Sequence, residues 1–137
     1  MADVAKFHHD PRALKQLTPP PVFVQLHQIE PVDEGSLADF TMWLGPIPIR
    51  WLAVHSNVEY LRGFTDAQAK GPFERWVHIH SFRSIEDNIT EVVDDIQVEF
   101  GKGLWKGMIS RLMWINLPVL FAYRGWKTRQ ILESNSR

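Results

Sequence analysis

The chain has 137 residues, 45% hydrophobic and 23% charged, with a formal net charge of -1. That is room for one domain with a real core, and a charge too balanced to favour nucleic acid or an anionic membrane as partner. Cysteine is absent, which excludes disulfides and thiolate metal sites and suits a cytoplasmic protein, and Met1–Asp10 lacks the apolar segment of a signal peptide.

Met1–Phe7 reads as the last turn or two of a helix. Asp10-Pro11 opens a second short helix over Arg12–Leu17, with Asp as cap and Pro at the first helical position. Thr18 and Pro19-Pro20-Pro21 stop it. From there to Phe100 the pattern predicts six strands: Val22–Glu30, Ser36–Leu44, Ile47–Ser56, Gly63–Lys70, Glu74–Arg83 and Ile89–Phe100. Short turns join them as an antiparallel meander. In the third strand Ile47, Ile49, Trp51, Ala53 and His55 share the face that carries Trp, which reads as inward, with Arg50, Leu52 and Val54 outward. Leu104–Glu133 has helical spacing. Trp105, Met108, Ile109, Leu112, Met113, Leu117, Leu120 and Phe121 form one broad face predicted to pack on the sheet, with a kink at Pro118. Trp114–Tyr123 is apolar nearly all round, yet Lys106, Arg111 and Arg124 bracket a run too short to span a bilayer. Trp43, Trp51, Trp105 and Trp114 are candidates to line an aromatic interior.

The most informative segment is Gly71–Phe82, GPFERWVHIHSF. In a strand it projects Trp76, His78, His80 and Phe82 from one face. Turn positions give a register: Phe82 opposite Thr90, His78 opposite Asp94, Gln68 opposite His78, and Asp66 opposite His80. Asp66, Gln68, His78, His80 and Asp94 then share a face with Trp76 and Phe82, and Asp95 points outward. A carboxylate beside an imidazole fixes its tautomer and raises its basicity, so His78 or His80 with Asp66 is a candidate acid/base pair. The alternative is a structural network in which buried polar groups satisfy one another. Two His at this spacing with carboxylates could hold zinc, but no third His aligns, and no metal or cofactor is expected. His8-His9 read as a solvated helix end, His27 and His55 have no assigned partner, and Arg50, Arg75 and Arg124 read as solvated.

The order of elements resembles the START-like, or SRPBCC, superfamily, and within it the polyketide cyclase/dehydrase and lipid-transport group. The segments that carry the resemblance are FHHDPRALKQLTPPP at Phe7–Pro21, LGPIPIRW at Leu44–Trp51, FTDAQAKGPFERWVHIHSF at Phe64–Phe82 and LFAYR at Leu120–Arg124. The resemblance implies a single α+β helix-grip domain over residues 1–137. A curved antiparallel sheet of about six strands would wrap a long C-terminal helix, behind two short N-terminal helices. It also implies a cavity for a hydrophobic small molecule such as a lipid, isoprenoid, quinone or polyketide. Trp51, Asp66, Gln68, Trp76, His78, His80, Asp94 and Trp114 are the expected ligand-binding residues. A cyclase or dehydratase, or an accessory interaction domain with a packed cavity, are the alternatives. Family members begin with a further strand and a longer helix before the FHHDP-like segment, whereas here only about six residues precede Phe7. Loss of that strand would leave a gap in the sheet, and pairing with a second chain at that gap is one route to a homodimer.

Overall fold

In the computed structural model, which describes residues 1–135, alternating residues, one seven-residue loop after the first strand and four turns of two to four residues build one sheet. The helices are α1 (Ala2–His9), α2 (Ala13–Gln16) and α3 (Leu104–Asn135). The strands are β1 (Phe23–Ile29), β2 (Leu37–Leu44), β3 (Ile47–Glu59), β4 (Gly63–Lys70), β5 (Arg75–Glu86) and β6 (Ile89–Glu99), paired antiparallel in the order β1 to β6. The architecture is α+β, with the short helices first and the long one last. All six strands fall within a few residues of their predicted bounds. Asp10 sits just before α2, where its carboxylate accepts the Arg12 backbone N–H at 2.9 Å and its carbonyl accepts that of Ala13 at 2.9 Å. Among the described residues no helix is long and apolar enough to cross a membrane.

The inward face of β3 is the predicted one, with Ile49, Trp51, Ala53 and His55 all buried. Trp51 sits among aromatic rings: edge-on to Trp76 at 5.3 Å and to Phe73 at 6.0 Å, and stacked with Phe40 at 6.2 Å. Leu117 from α3 closes on this cluster. A second cluster joins Ala5 of α1 to Phe64 and Phe82. Burial of such side chains is the main stabilising term, roughly 1.5–3 kcal/mol for each large one.

Three expectations need correction. First, the sheet has no internal gap. Every strand pairs with its chain neighbours, and β1 and β6 are its edges. The proposed pairing with a second chain inside the sheet therefore has no place to occur. Along the β6 edge Glu91, Asp95, Gln97 and Glu99 are exposed, and charges on an edge discourage strand addition. Second, both hairpin registers shift by two residues. Asp66 lies opposite His78, and His80 opposite Asp94. A two-residue turn at Asp87-Asn88 closes β5–β6, with Asn88 at φ 68° and a bulge between Ser84 and Glu86. Because the shift is even, every side chain keeps its face.

Third, α3 buries a narrower stripe than its sequence suggests. Gly107, Ile109, Ser110 and Leu117 are buried, and Met113, Leu120 and Phe121 are half-buried. Trp105, Met108, Leu112 and Trp114 are exposed. A helix that is apolar all round has no phase from which its contact face can be read. It also runs unbroken through Pro118. That residue is exposed, so water can satisfy the carbonyl that loses its partner.

Candidate functional site

Between the sheet, α2 and α3 lies a cavity of about 530 Å3. Leu14, Leu17 and Pro19–Pro21 form one wall, Ala38, Phe40, Trp51, Ala53 and Trp76 the floor, and Met113, Leu117 and Leu120 the roof. Alternation in β2 and β3 places small side chains, Ala38 and Ala53, where the hollow is, so the space is written into the strand pattern. Most of the lining is apolar; Asp10, Thr18, His55 and Asn116 also reach it, and His8, Asp66, His78, His80 and Arg124 gather at one corner.

The corner is built by neighbouring strands. His78 and His80 stand two apart on β5, Asp66 flanks them from β4 and Asp94 from β6. His78 Nε2–H donates to Asp94 Oδ1 at 2.8 Å, and His80 Nε2–H to Asp66 Oδ2 at 3.2 Å. The remaining nitrogens also face carboxylates: His78 Nδ1 lies 3.5 Å from Asp66 Oδ2, and His80 Nδ1 3.0 Å from Asp94 Oδ1 in a geometry too bent for a hydrogen bond. The rings stack, centroids 3.8 Å apart. Gly63 makes this approach possible. At φ 133° it lies against the His80 carbonyl, and a Cβ there would sit 1.9 Å from that oxygen.

The charges divide unequally between the two imidazoles. Burial disfavours the cation at both. At His78 burial and the neighbouring His80 win, and its pKa falls below the ordinary 6.5. At His80 the two aspartates outweigh burial, and its pKa rises. Asp66 is opposed by its own burial, but His80 and His78 hold its pKa down at about 2. Asp94 is likewise held well below the carboxylate range by both rings, against burial. The corner therefore sets two carboxylates with lowered pKa values against an imidazole at His80 whose cation they favour and the Arg124 guanidinium. A low-dielectric cluster of this kind is stable only with all its members present.

Asp66, His78 and His80 can also bring one ligand atom each within 4.8 Å of one another.

Of the predicted ligand-binding residues, Trp51, Asp66, Trp76, His78 and His80 line the cavity, whereas Gln68, Asp94 and Trp114 do not. Gln68 clamps the β4–β5 turn: its Nε2 donates to the Phe73 carbonyl at 2.7 Å and its Oε1 accepts the Phe73 N–H at 3.2 Å. Asp94 stands behind the imidazoles on the edge strand. Trp114 packs edge-on against Phe100 at 6.2 Å on the outer side of α3. Trp43 and Trp105 lie outside the cavity as well; Trp43 stacks on Phe23 and donates to Gln25 Oε1.

His8 and Arg124, read from the sequence as solvated, are cavity residues. His8 Nδ1–H donates to the Val4 carbonyl at 2.9 Å. Burial holds its pKa below 6.5, so Nε2 is left as a lone pair. Arg124 donates from Nε to the Leu17 carbonyl at 3.3 Å and lies over the Phe121 ring. Burial lowers its pKa, against the attraction of Asp94 and Asp66. Among the described residues its Nη groups make no hydrogen bond. Neither residue has a local signal. The LFAYR segment carries Arg124, but only the fold brings α1 and α3 to the same corner. His55 and His27 also gain partners, Ser36 Oγ at 2.9 Å and Thr41 Oγ1 at 2.7 Å.

No family model matches the chain, and no curated protein matches it. Among solved structures it is similar to TTHA0849 from Thermus thermophilus, with a TM-score of 0.72 and 15% identity over 99% of this chain and 91% of that one. At that identity the likeness extends to the fold alone.

Proposed function

We propose that this is a START-like, helix-grip domain that binds an apolar small molecule between its sheet and α3. The observation that carries the reading is the cavity: about 530 Å3 of space with a mostly apolar lining and one strongly polar corner. Empty apolar space of that size costs stability through lost contacts, so a fold that keeps it gains from an occupant. The corner refines the ligand. Arg124 Nη offers donors and His8 Nε2 an acceptor, so a hydroxyl or carbonyl oxygen on an isoprenoid, quinone or polyketide-like chain fits. An accessory domain with a packed interior is disfavoured by the same space.

A second reading, proton transfer to a bound carbonyl compound by a cyclase or dehydratase, draws on the imidazoles at the cavity wall. His78 and His80 have both ring nitrogens turned to aspartates and none turned to a ligand. His8, with Nε2 free, is the better base.

Native mass spectrometry of the purified protein tests the binding reading. The expected result is an apolar adduct, or displacement of a hydrophobic fluorophore by a long-chain ketone, with both lost in Ala53→Phe, which fills the floor. A folded wild type that neither carries nor takes up such a molecule refutes it. Turnover abolished by His8→Gln with binding retained would favour the second reading.

A further inference from the structure

The outer surface of α3 carries an apolar pattern of which only Leu112 and Val119 touch the cavity. Trp105, Met108, Leu112, Ile115, Val119, Ala122 and Trp126 follow one another at intervals of three and four without a break. All seven are exposed; the six larger ones are each more than half exposed, and Ile115 reaches 72%. Ser110, Leu117 and Arg124, seven apart, hold the opposite side of the helix against the sheet and cavity. The helix thus has one apolar stripe for its own domain and a second that no described residue covers.

We infer that this second stripe is the seam of a homodimer, in which α3 packs antiparallel against α3 of a second copy. A strict alternation of three and four is the spacing at which one helix meets another, because it keeps a narrow line of knobs facing a partner. A membrane-lying helix needs only a broad apolar face. The stripe is self-complementary when the second copy runs antiparallel about Leu117. Met108 then meets Trp126 of the second copy, Leu112 meets Ala122, and Ile115 meets Val119, and each pairing recurs by symmetry to give six layers. The heavy Trp126 is matched with flexible Met108, and Leu112 with the small Ala122. The positions beside the seam are Ile109, Asn116 and Tyr123 on one side and Leu104, Arg111, Pro118 and Gly125 on the other. Arg111 is the single charge among them. Its guanidinium lies over Phe100, 5.1 Å from the ring centre, and across the seam it meets Gly125. No like charges oppose each other. Six exposed apolar side chains per copy, Met108 to Trp126, make up the seam. Leu112, Asn116 and Val119 also border the cavity, so the second copy lies along its rim.

Analytical ultracentrifugation of the full chain at micromolar and submillimolar concentration tests this, with circular dichroism to check folding. The expected result is a dimer that Ile115→Glu converts to a folded monomer, weakening association at least tenfold. Because the chain has no cysteine, single substitutions report the geometry. Asn116→Cys, beside the two-fold axis, links two copies on mild oxidation, and Trp105→Cys, at the far end, does not. A wild type that stays monomeric at the higher concentration overturns the inference, as does a dimer that survives Ile115→Glu or links through Trp105→Cys. A monomer that floats with vesicles of phosphatidylglycerol, and ceases to do so with Ile115→Glu, would assign the stripe to a lipid surface instead.

Discussion

Replacing Asp66 by Asn removes one of the two charges that hold His80 protonated and leaves the shape of the corner almost unchanged. Asp66 ionises at about 2 in the fold against an ordinary 3.8. A shift of that size corresponds to about 2 kcal/mol of stability at neutral pH, at 1.36 kcal/mol per unit. The sign follows from its direction. A lowered carboxylate pKa stabilises the fold above 3.8, and that contribution is lost as pH falls from 3.8 toward 2. Asp66→Asn should therefore unfold about 2 kcal/mol more easily in urea at pH 7, with the gap closing near pH 2. Histidine proton NMR reads the site directly. In the wild type His80 titrates above 6.5 and His78 below it, and in Asp66→Asn the His80 value falls. An unchanged His80 titration, or a stability deficit as large at pH 2 as at pH 7, would refute this electrostatic account.

Three further outcomes follow from the same geometry. Trp51→Ala opens the aromatic cluster and should cost about 3–5 kcal/mol in denaturant unfolding. Gly63→Ala puts a Cβ against the His80 carbonyl at a positive φ, and should lose about 2 kcal/mol or more while displacing His80 resonances; a silent substitution would mean the β4–β5 approach is looser than described. The pH profile of wild-type stability should fall at both ends. His80, with a raised pKa, stabilises below 6.5 and loses that contribution as pH rises through its folded value, whereas His78, lowered, costs stability as pH falls below 6.5. Below 6.5 the His80 contribution is complete and constant, so stability should decline there through His78 and fall further where Asp66 and Asp94 take up protons.

The meander was legible because Gly, Pro and Asn mark its turns and alternation marks its faces. The inward set of β3 and the shared face of Asp66, His78, His80 and Asp94 could be read without coordinates, and a register error of two could not disturb them. What escaped depended on phase or on distance along the chain. Trp114 was placed inside because α3 is apolar on every side, and it lies on the outside against Phe100. Gln68 was grouped with the histidines by its parity in the strand, yet it ends as a turn clamp because β4 stops pairing with β5 at Ala67. His8 and Arg124 looked solvated because each is an ionisable residue read as standing at a helix end. Their burial comes from α1 and α3 closing on one end of the sheet.

The claim on which the rest depends is that the hollow beneath α3 holds an oxygen-bearing apolar molecule. A crystal grown with a long-chain methyl ketone tests it most directly. The account predicts a chain lying between Trp51, Trp76 and Leu117 with its oxygen beside Arg124. A cavity that stays vacant, or is closed by Leu117 and Met113 moving onto the tryptophans, would contradict it.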